Sequence, residues 1–429
     1  MARRTRQNPA LGARDAATQF ANINNAVTPT EFRKRSQSTA LIKTVVPAYQ
    51  ASHGWVSSGA GFDATNSNLN DTADVLLGDR ALKIVSLTTG AAAVYKTLAA
   101  PVDVSDCDLR LRFKYDDANL GAVQVTVGNS NFSQASSRVA FTTGGTIDWP
   151  YQRGRWNIID IPQAQFSAGA VWSAIQRVQV QVSPINDAPT TVHLSGVEFV
   201  KRDPFNQGPV IVFSFDDSYI GQHTIARQSL QDRGWKGTLL PIVDRLDSGV
   251  SAMSTAQVQD LHDTYGWEVG GHSYSNASHA LGMPAMSSAQ RVAELESIQA
   301  WQDSLGFRPS TFAYPLGYSD AASQADVTKY YTTAMTAFAP MLETMTPARR
   351  FAIPRVNVGT QQASLASLLT SVVASKGLMI LCVHDIVASG GTSNDITTAN
   401  WNTLIANVET AVSNGAKILR ADEALGGIR

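Results

Sequence analysis

Two histidines in the stretch GGHSYSNASH, His272 and His279, lie seven residues apart. Imidazole nitrogens are common zinc ligands, and the ion holds each of them at about 2.0–2.1 Å. On one straight helix, positions seven residues apart are separated by roughly 10 Å, because each residue advances the helix by about 1.5 Å. The two rings can therefore share one ion only if the backbone between them bends. From the spacing alone, a metal site and two unrelated loop histidines both stay open.

Other residues with catalytic chemistry follow apolar runs in the same part of the chain. Asp216 and Asp217 follow VIVFSF, His272 follows WEVGG, and His384 follows GLMILCV. A hydrolase can be built from a divalent ion, which lowers the pKa of a bound water toward ~7, with a carboxylate base and a histidine acid. Each residue alone is weak evidence, since an Asp pair is often a helix cap. Their joint placement predicts a metal-dependent hydrolase.

The elements that must position these residues alternate between apolar runs and helical stretches from about residue 201 onward. Two stretches, MSTAQVQDLHDTYG and SSAQRVAELESIQAWQDSLG, have Ser or Thr near the start and Gly at the end, which is typical of helix termini. Strands that are buried on both faces and separated by helices favour a parallel α/β fold, in which chemistry collects at the C-terminal strand ends. We predict that residues 203–429 form a distorted parallel β/α barrel.

Residues 46–202 show a different periodicity. Short alternating runs such as ALKIVSLTT, DLRLRFKYDD and IQRVQVQVSP are separated by Gly, Asn, Asp and Pro. Alternation with a period of two between turn residues predicts a β-sandwich of jelly-roll type. The chain is therefore expected to be multidomain, with an all-β domain before the α/β domain.

Four motifs in the C-terminal part, FSFDDS, EVGGHS, FAYPLG and LCVH, resemble those of the NodB-homology polysaccharide deacetylases, carbohydrate esterase family four. The resemblance runs from about Pro209 onward and includes AKILRADEAL, which is similar to the family's closing strand. It implies a metal-dependent hydrolase that removes acetyl groups from a polysaccharide, with Zn²⁺ as the expected ion. In the preceding domain, VDVSDCDLRLRFKY, GRWNIIDIP and VHLSGVEFV resemble carbohydrate-binding sandwich modules.

The resemblance to the deacetylases implies a role for each motif residue. Asp216 is implied as the catalytic base, and Asp217 and His272 are implied as metal ligands. The backbone N–H of Leu316 is implied as a donor to the oxyanion, and His384 as the general acid. The implied substrate-binding residues are Tyr314, Pro315 and Leu381.

The second motif departs from the family's pattern. The family places its second histidine four residues after the first, where this chain has Asn276. We interpret SNAS as carrying a three-residue insertion that bulges the loop and delivers His279 to the metal. Under the alternative, Asn276 or water takes that position, and the metal is bound weakly or is absent.

The third motif also departs from the pattern. The family has an Arg two residues before the Pro, pairing with the base, where this chain has Ala313. Arg355, in FAIPRVNV at another strand end, is predicted to supply the missing charge. The alternative is an Arg on a solvated strand end.

Composition and charge give no indication of a nucleic-acid-binding or membrane-spanning protein. The chain has 429 residues and a formal net charge of −1, so no overall basic field indicates nucleic acid or an anionic membrane as a partner. No apolar run approaches the ~18 residues that span a bilayer. The N-terminal residues lack the apolar core of a secretory signal. Cys107 and Cys382 each lie in an apolar run, which favours buried free thiols over a disulfide.

Residues 1–45 contain eight Lys or Arg residues and two acidic ones, with little hydrophobic periodicity. Such a composition is typical of a disordered basic arm, and the alternative is a segment that becomes ordered when it docks on a partner. We predict a docking arm that joins other subunits of a viral or surface assembly. With no leader, the arm, sandwich and deacetylase together resemble an enzyme carried on a bacteriophage tail spike or fibre. A virion location is therefore expected, and a leaderless bacterial protein is the alternative.

These observations predict three parts: the arm (1–45), the carbohydrate-binding-like sandwich (46–202) and the deacetylase domain (203–429). The predicted substrate is an acetylated polysaccharide, in particular a bacterial surface glycan. The alternative function is a glycan-binding virion structural protein with a degenerate, inactive deacetylase fold. The identity of the glycan, the choice between N- and O-acetyl groups, the metal and the oligomeric state, including a homo-oligomer, stay open.

Overall fold

The computed structural model describes residues 42–142, 153–185, 187–201, 209–337, 342–344, 347 and 349–425. The chain divides into two compact units, with the division between Phe205 and Asn206. Residues 1–41 of the predicted arm and the predicted domain boundary at 202/203 lie outside the described residues. The two units are therefore described one at a time.

The first unit consists of β-strands and two short 3₁₀ turns, Gln163–Gln165 and Trp172–Ala174. In chain order the strands are β1 (Ile42–Pro47), β2 (Val56–Ser58), β3 (Asn68–Asp71), β4 (Ala81–Val85), β5 (Ala92–Val102), β6 (Cys107–Tyr115), β7 (Leu120–Gly128), β8 (Ala135–Thr142), β9 (Trp156–Ile161), β10 (Ile175–Pro184) and β11 (Thr191–Lys201). They form two antiparallel sheets. One has the order β3-β4-β11-β6-β9 with β1 paired to β11, and the other has the order β2-β5-β10-β7-β8.

Burial alternates along β10, the central strand of the second sheet. Val178, Val180 and Val182 are fully buried, whereas Gln179 and Gln181 between them are partly exposed. This period of two gives the sheet one apolar face in the core and one polar face. The prediction of a sheet-rich N-terminal domain is confirmed, and the jelly-roll type stays a prediction.

Strand β1 begins at Ile42 and pairs antiparallel with β11. The residues at the end of the predicted arm therefore take part in this sheet. The domain division at 45/46 crosses β1, so the described part of the arm is a sheet edge rather than a separate segment.

In the second unit, strands alternate with helices. The strands are β12 (Val210–Asp216), β13 (Thr238–Leu240), β14 (Glu268–Val269), β15 (Thr311–Ala313), β16 (Thr333–Met335), β17 (Val356–Asn357), β18 (Leu378–Val383), β19 (Ile386–Val387), β20 (Ile396–Thr397) and β21 (Lys417–Ile418). The α-helices are α1 (Arg227–Gln231), α2 (Thr255–Asp263), α3 (Asn276–Leu281), α4 (Ser288–Leu305), α5 (Ala321–Val327), α6 (Leu365–Ser375), α7 (Thr398–Ser413) and α8 (Ala421–Leu425). A π-helical turn, Gln222–Ala226, precedes α1, and 3₁₀ turns span Val243–Arg245, Met283–Ala285, Pro315–Gly317 and Gln362–Ser364.

The named strands of the second unit pair in parallel. The largest sheet has the order β14-β13-β12-β18-β17, with β21 also paired to β12, while β15 pairs with β16 and β19 with β20. Parallel neighbours need crossover connections, and helices supply them here. The unit is therefore α/β, as predicted, whereas barrel closure stays a prediction.

Strand β12 sets the direction of the Asp216 side chain. Its alternate residues Ile211, Phe213 and Phe215 pack in the large core that also contains α-helical side chains. Val210 and Val212 belong to a second buried cluster on the other face. Because side chains alternate along a strand, the last residue of β12 points to the same face as Val210 and Val212. This last residue is Asp216, the first residue of the pair Asp216 and Asp217.

Helices α2 and α4 begin and end as their sequences indicate. Ser254 and Ser287 cap their N-termini in capping boxes with Gln257 and Gln290. Helix α4 ends at Gly306, whose φ of 81° is a left-handed conformation that glycine adopts without strain. The two predicted helices are confirmed.

Neither cysteine takes part in a disulfide. Cys107 and Cys382 are both buried thiols, as predicted. Among the helices of the described residues, none combines the length and the apolar character needed to cross a bilayer.

Candidate active site

Three side chains meet at the carboxyl end of the parallel sheet. Oδ1 of Asp217 lies 3.3 Å from Nε2 of His272 and 3.2 Å from Nε2 of His279. This buried oxygen has no hydrogen-bond partner among the described residues. Ligands held tetrahedrally at about 2.0–2.1 Å from zinc are themselves separated by about 3.3 Å. The donor types and their separations therefore fit a divalent ion, and we call these three residues the Asp217 triad.

The backbone bend between the two histidines ends in a short helix. Helix α3 begins after its N-cap, Ser275, whose hydroxyl accepts a hydrogen bond from the N–H of Ser278. His279 lies on this helix, and its ring centroid is 5.0 Å from that of His272. Asn276 faces another partner, because its N–H and its side-chain amide both donate to the carboxylate of Asp244. The structure brings His279, and not Asn276, to the triad.

A His279→Ala variant is expected to lower zinc occupancy sharply, because it removes one of three protein ligands. Asn276→Ala is expected to leave occupancy near the wild-type value, since the Asn276 side chain binds Asp244 instead. Metal content per chain after dialysis, measured by atomic emission, checks both. Loss of the ion in Asn276→Ala together with retention in His279→Ala would show that the motif uses Asn276.

The orientation of His272 is set by a backbone carbonyl. Its Nδ1 lies 2.8 Å from the carbonyl oxygen of Ala313. A carbonyl only accepts, so Nδ1 carries the proton and the lone pair of Nε2 faces Asp217. Burial would raise the pKa of Asp217, but the adjacent imidazoles of His272 and His279 outweigh this effect, and the pKa lies well below the usual value.

Asp216 is held by a buried guanidinium. Arg355 donates from its two terminal nitrogens to Oδ1 and Oδ2 of Asp216, at 2.7 and 2.8 Å. Its side chain has no exposed surface, and it also donates to Ser214 Oγ at 3.2 Å and to the Thr336 carbonyl at 3.1 Å. Burial would raise the pKa of Asp216, yet the charge of Arg355 lowers it below its usual value. The structure therefore places the predicted Arg355 against the acid, and not on a solvated strand end.

His384, the residue that follows β18, lies close to Asp217. Its Nε2 lies 4.0 Å from Oδ2 of Asp217, and its Nδ1 is buried without a hydrogen-bond partner among the described residues. The side chain of His384 keeps 14% of its surface exposed. A ring that reaches both the triad and solvent can exchange protons with a bound molecule and with water.

Gln222 is a site residue that the sequence reasoning missed. Its fully buried side-chain amide donates to the carbonyl of Asp216 at 2.6 Å and to the carbonyl of His384 at 2.9 Å. It lies on the π-helical turn, a rare conformation that is frequent at functional sites. A glutamine after the acidic pair matches no sequence pattern that predicts a functional role. Only the folded chain shows that Gln222 links the ends of two strands.

Backbone strain is concentrated at this site. Seven non-glycine residues among those described have positive φ, and three of them are Asp217 (71°), Ser218 (64°) and Leu316 (57°). Such conformations cost of order 1–3 kcal/mol each and cluster at functional sites. Leu316 is 41% exposed.

The three predicted substrate-binding side chains are buried. Tyr314 has no exposed surface, and its hydroxyl donates to the Phe351 carbonyl at 3.0 Å. Pro315 and Leu381 are buried as well. The structure therefore buries all three side chains, and the Tyr314 hydroxyl is bonded to a backbone carbonyl.

Part of the second unit matches a known family. Residues 205–335 match the family model of polysaccharide deacetylase. The matched segment contains the Asp217 triad and Asp216, whereas Arg355 and His384 lie C-terminal to it. This match agrees with the resemblance of the sequence motifs. No curated protein matches the chain.

Solved structures resemble each unit at low sequence identity. The Xyl-CE4 domain of a multidomain xylanase from the hindgut metagenome of Trinervitermes trinervoides is 17% identical, with 51% of this chain and 91% of that chain covered and a TM-score of 0.36. A Streptococcus pyogenes deacetylase in complex with acetate is 20% identical, with 34% and 62% covered and a TM-score of 0.29. The family 11 carbohydrate-binding module of a Clostridium thermocellum cellulase is 10% identical, with 37% and 94% covered and a TM-score of 0.28. At these values, the likeness assigns no residue a role.

Proposed function

We propose that the second unit is a metal-dependent deacetylase that removes acetyl groups from a polysaccharide. The observation that carries the proposal is the Asp217 triad beside the Arg355-bound carboxylate of Asp216. The match of residues 205–335 to the polysaccharide deacetylase family supports the same activity. The residues of the triad and its neighbours then each contribute to a different step of hydrolysis.

Asp217, His272 and His279 would hold the ion. When bound, a divalent ion polarises the acetyl carbonyl and lowers the pKa of a water molecule. Asp216 accepts the proton that the attacking water gives up. The bidentate contact with Arg355 keeps Asp216 ionised and fixes its orientation for that transfer.

Leu316 and His384 act on the charges that develop later in the reaction. The N–H of Leu316, on its exposed and strained turn, donates to the oxyanion. His384 gives a proton to the departing oxygen or nitrogen. Water and an acetyl ester or acetamide are thereby converted to acetate and an alcohol or amine.

The first unit would bind the glycan on the polar face of its second sheet. Arg177 lies over the ring of Tyr95 at 4.6 Å, and Gln179 is paired with both Tyr95 and Thr126 across the neighbouring strands. Gln181 is likewise paired with Gln124. An aromatic ring with amides and a guanidinium offers a stacking surface and hydrogen-bond donors for sugar hydroxyls.

Acetate release from acetylated glycans tests the proposed function. The zinc-loaded full chain is expected to release acetate from acetylated xylan (an O-acetyl substrate), from chitin oligosaccharides (an N-acetyl substrate), or from both. A chelator is expected to stop the release, and added zinc to restore it. Enzymatic acetate detection measures the product. Glycan binding by the metal-loaded chain without acetate release from any acetylated glycan would favour the inactive, glycan-binding alternative.

The bacterial surface glycan, the virion location and the docking role of residues 1–45 stay predictions. They depend on the composition of the arm and on the order of the domains along the sequence. The choice of zinc as the ion depends on the histidine-rich donor set of the triad.

A further inference from the structure

The segment between the two histidines is held by one carboxylate from a different element. Glu294 lies on α4 and is 7% exposed. Its Oε1 accepts hydrogen bonds from the N–H of Tyr274 at 2.6 Å and from the N–H of Ser275 at 3.0 Å. The hydroxyl of Ser273 lies 2.7 Å from the same oxygen. Three donors of consecutive residues therefore converge on one oxygen atom.

The opposite side of the segment is also held. The N–H of Asn276 donates to the Asp244 carboxylate at 2.9 Å, and the N–H of Asp244 donates to the Tyr274 carbonyl at 2.8 Å. The N–H of Val243 donates to the Ser273 carbonyl at 3.0 Å. These contacts leave the segment between His272 and α3 with little conformational freedom.

The spacing of the histidines explains why such support matters. Residues four apart on a helix face the same side, so one helical turn presents both rings to an ion without further help. In this chain the helix begins only at Asn276, after His272. The relative position of His272 and His279 is therefore set by the non-helical residues 273–275, and what fixes those residues fixes the metal site.

A buried carboxylate is well suited to this task. Burying a charge is unfavourable unless it is hydrogen-bonded, and bonds to an ionised acceptor are about twice as strong as those between neutral groups. Successive backbone N–H groups that point to one anion form a nest-like cradle. Glu294 accepts from three donors at once, and in doing so it selects one conformation of the segment.

We propose that Glu294 is a positioning residue of the metal centre, which fixes residues 273–275 so that His272 and His279 reach one ion together with Asp217. This inference rests on the proposed function in one respect: it takes the Asp217 triad as the site of the ion. Glu294 contacts neither the ion position nor the substrate, and it acts through the loop.

Zinc affinity of the full chain tests this role. Glu294→Ala is expected to weaken zinc binding by about 10–100-fold, the range seen when an outer partner of metal ligands is lost. Glu294→Gln keeps an acceptor oxygen but not the charge, so a smaller loss is expected. Competition titration against a chromophoric chelator measures the dissociation constants, and His279→Ala gives the value for a lost ligand.

A control variant and a second readout separate positioning from simple stability. Glu296→Gln changes an exposed residue of the same helix and is expected to leave zinc affinity unchanged. If Glu294 had a purely structural role, its substitution would lower the melting temperature of the metal-free protein, but the folded variants would keep wild-type zinc affinity. That result would overturn the proposal. If Glu294→Ala does not fold, the zinc affinities of Glu294→Gln and Ser273→Ala test the proposal instead. Wild-type zinc affinity in both variants would overturn it. Because the readout is zinc binding, a failure to release acetate would count against the deacetylase function and not against this role.

Discussion

An Asp216→Asn variant is expected to lose about 10²–10⁴-fold in turnover, the contribution typical of general acid–base catalysis. The substitution keeps the size of the side chain but removes the group that accepts the proton of the attacking water. Zinc content is expected to stay at the wild-type level, because the ion is assigned to Asp217, His272 and His279. Acetate release under saturating substrate and metal content per chain measure the two quantities separately.

The matched control for this experiment is Asp232→Asn. Asp232 is exposed and follows α1, so the same chemical change there is expected to alter neither turnover nor zinc content. Turnover by Asp216→Asn within a factor of about three of wild type would refute the assignment of Asp216 as the base. Loss of zinc in that variant would instead show that Asp216 is itself a ligand.

The second large effect is expected from Arg355→Met, which should lower the free energy of unfolding by about 3–5 kcal/mol near neutral pH. The substitution leaves the carboxylate of Asp216 buried without its bidentate partner. Chemical denaturation of the metal-free protein at pH 7 measures the loss. In the Asp216→Asn/Arg355→Met double variant the uncompensated charge is absent, so most of the loss should be recovered.

The pH dependence of this loss has a defined sign. In the wild type, the pKa of Asp216 is lowered, so its ionised form stabilises the fold above the unfolded pKa, and this stabilisation is lost as pH falls through the folded pKa. Without Arg355, burial raises the pKa of Asp216 above its unfolded value, and the deficit should shrink as pH falls. Unfolding curves at pH 7 and about pH 5 check the trend. An equal loss in the single and double variants would show that Arg355 acts by packing and not by charge.

The sequence by itself determined the α/β character of the second unit and most of the residues of its candidate site. Apolar runs with both faces buried indicated parallel strands, and Ser and Gly at the ends of α2 and α4 marked the helices. Since a strand end fixes where its next residue lies, the positions of Asp216, Asp217 and His384 followed from local pattern alone. These features are local, because periodicity and capping depend on residues within a few positions of one another.

Only the tertiary structure decided which distant residues complete the site. Arg355 lies 139 positions after Asp216, and Glu294 lies on a helix beyond the loop that it holds. The sequence left His279 and Asn276 as rivals, and the folded chain gives them different partners: Asp217 for His279 and Asp244 for Asn276. Contacts between residues so far apart leave no periodic trace in the sequence, because they arise where separate strands and helices meet in the folded chain.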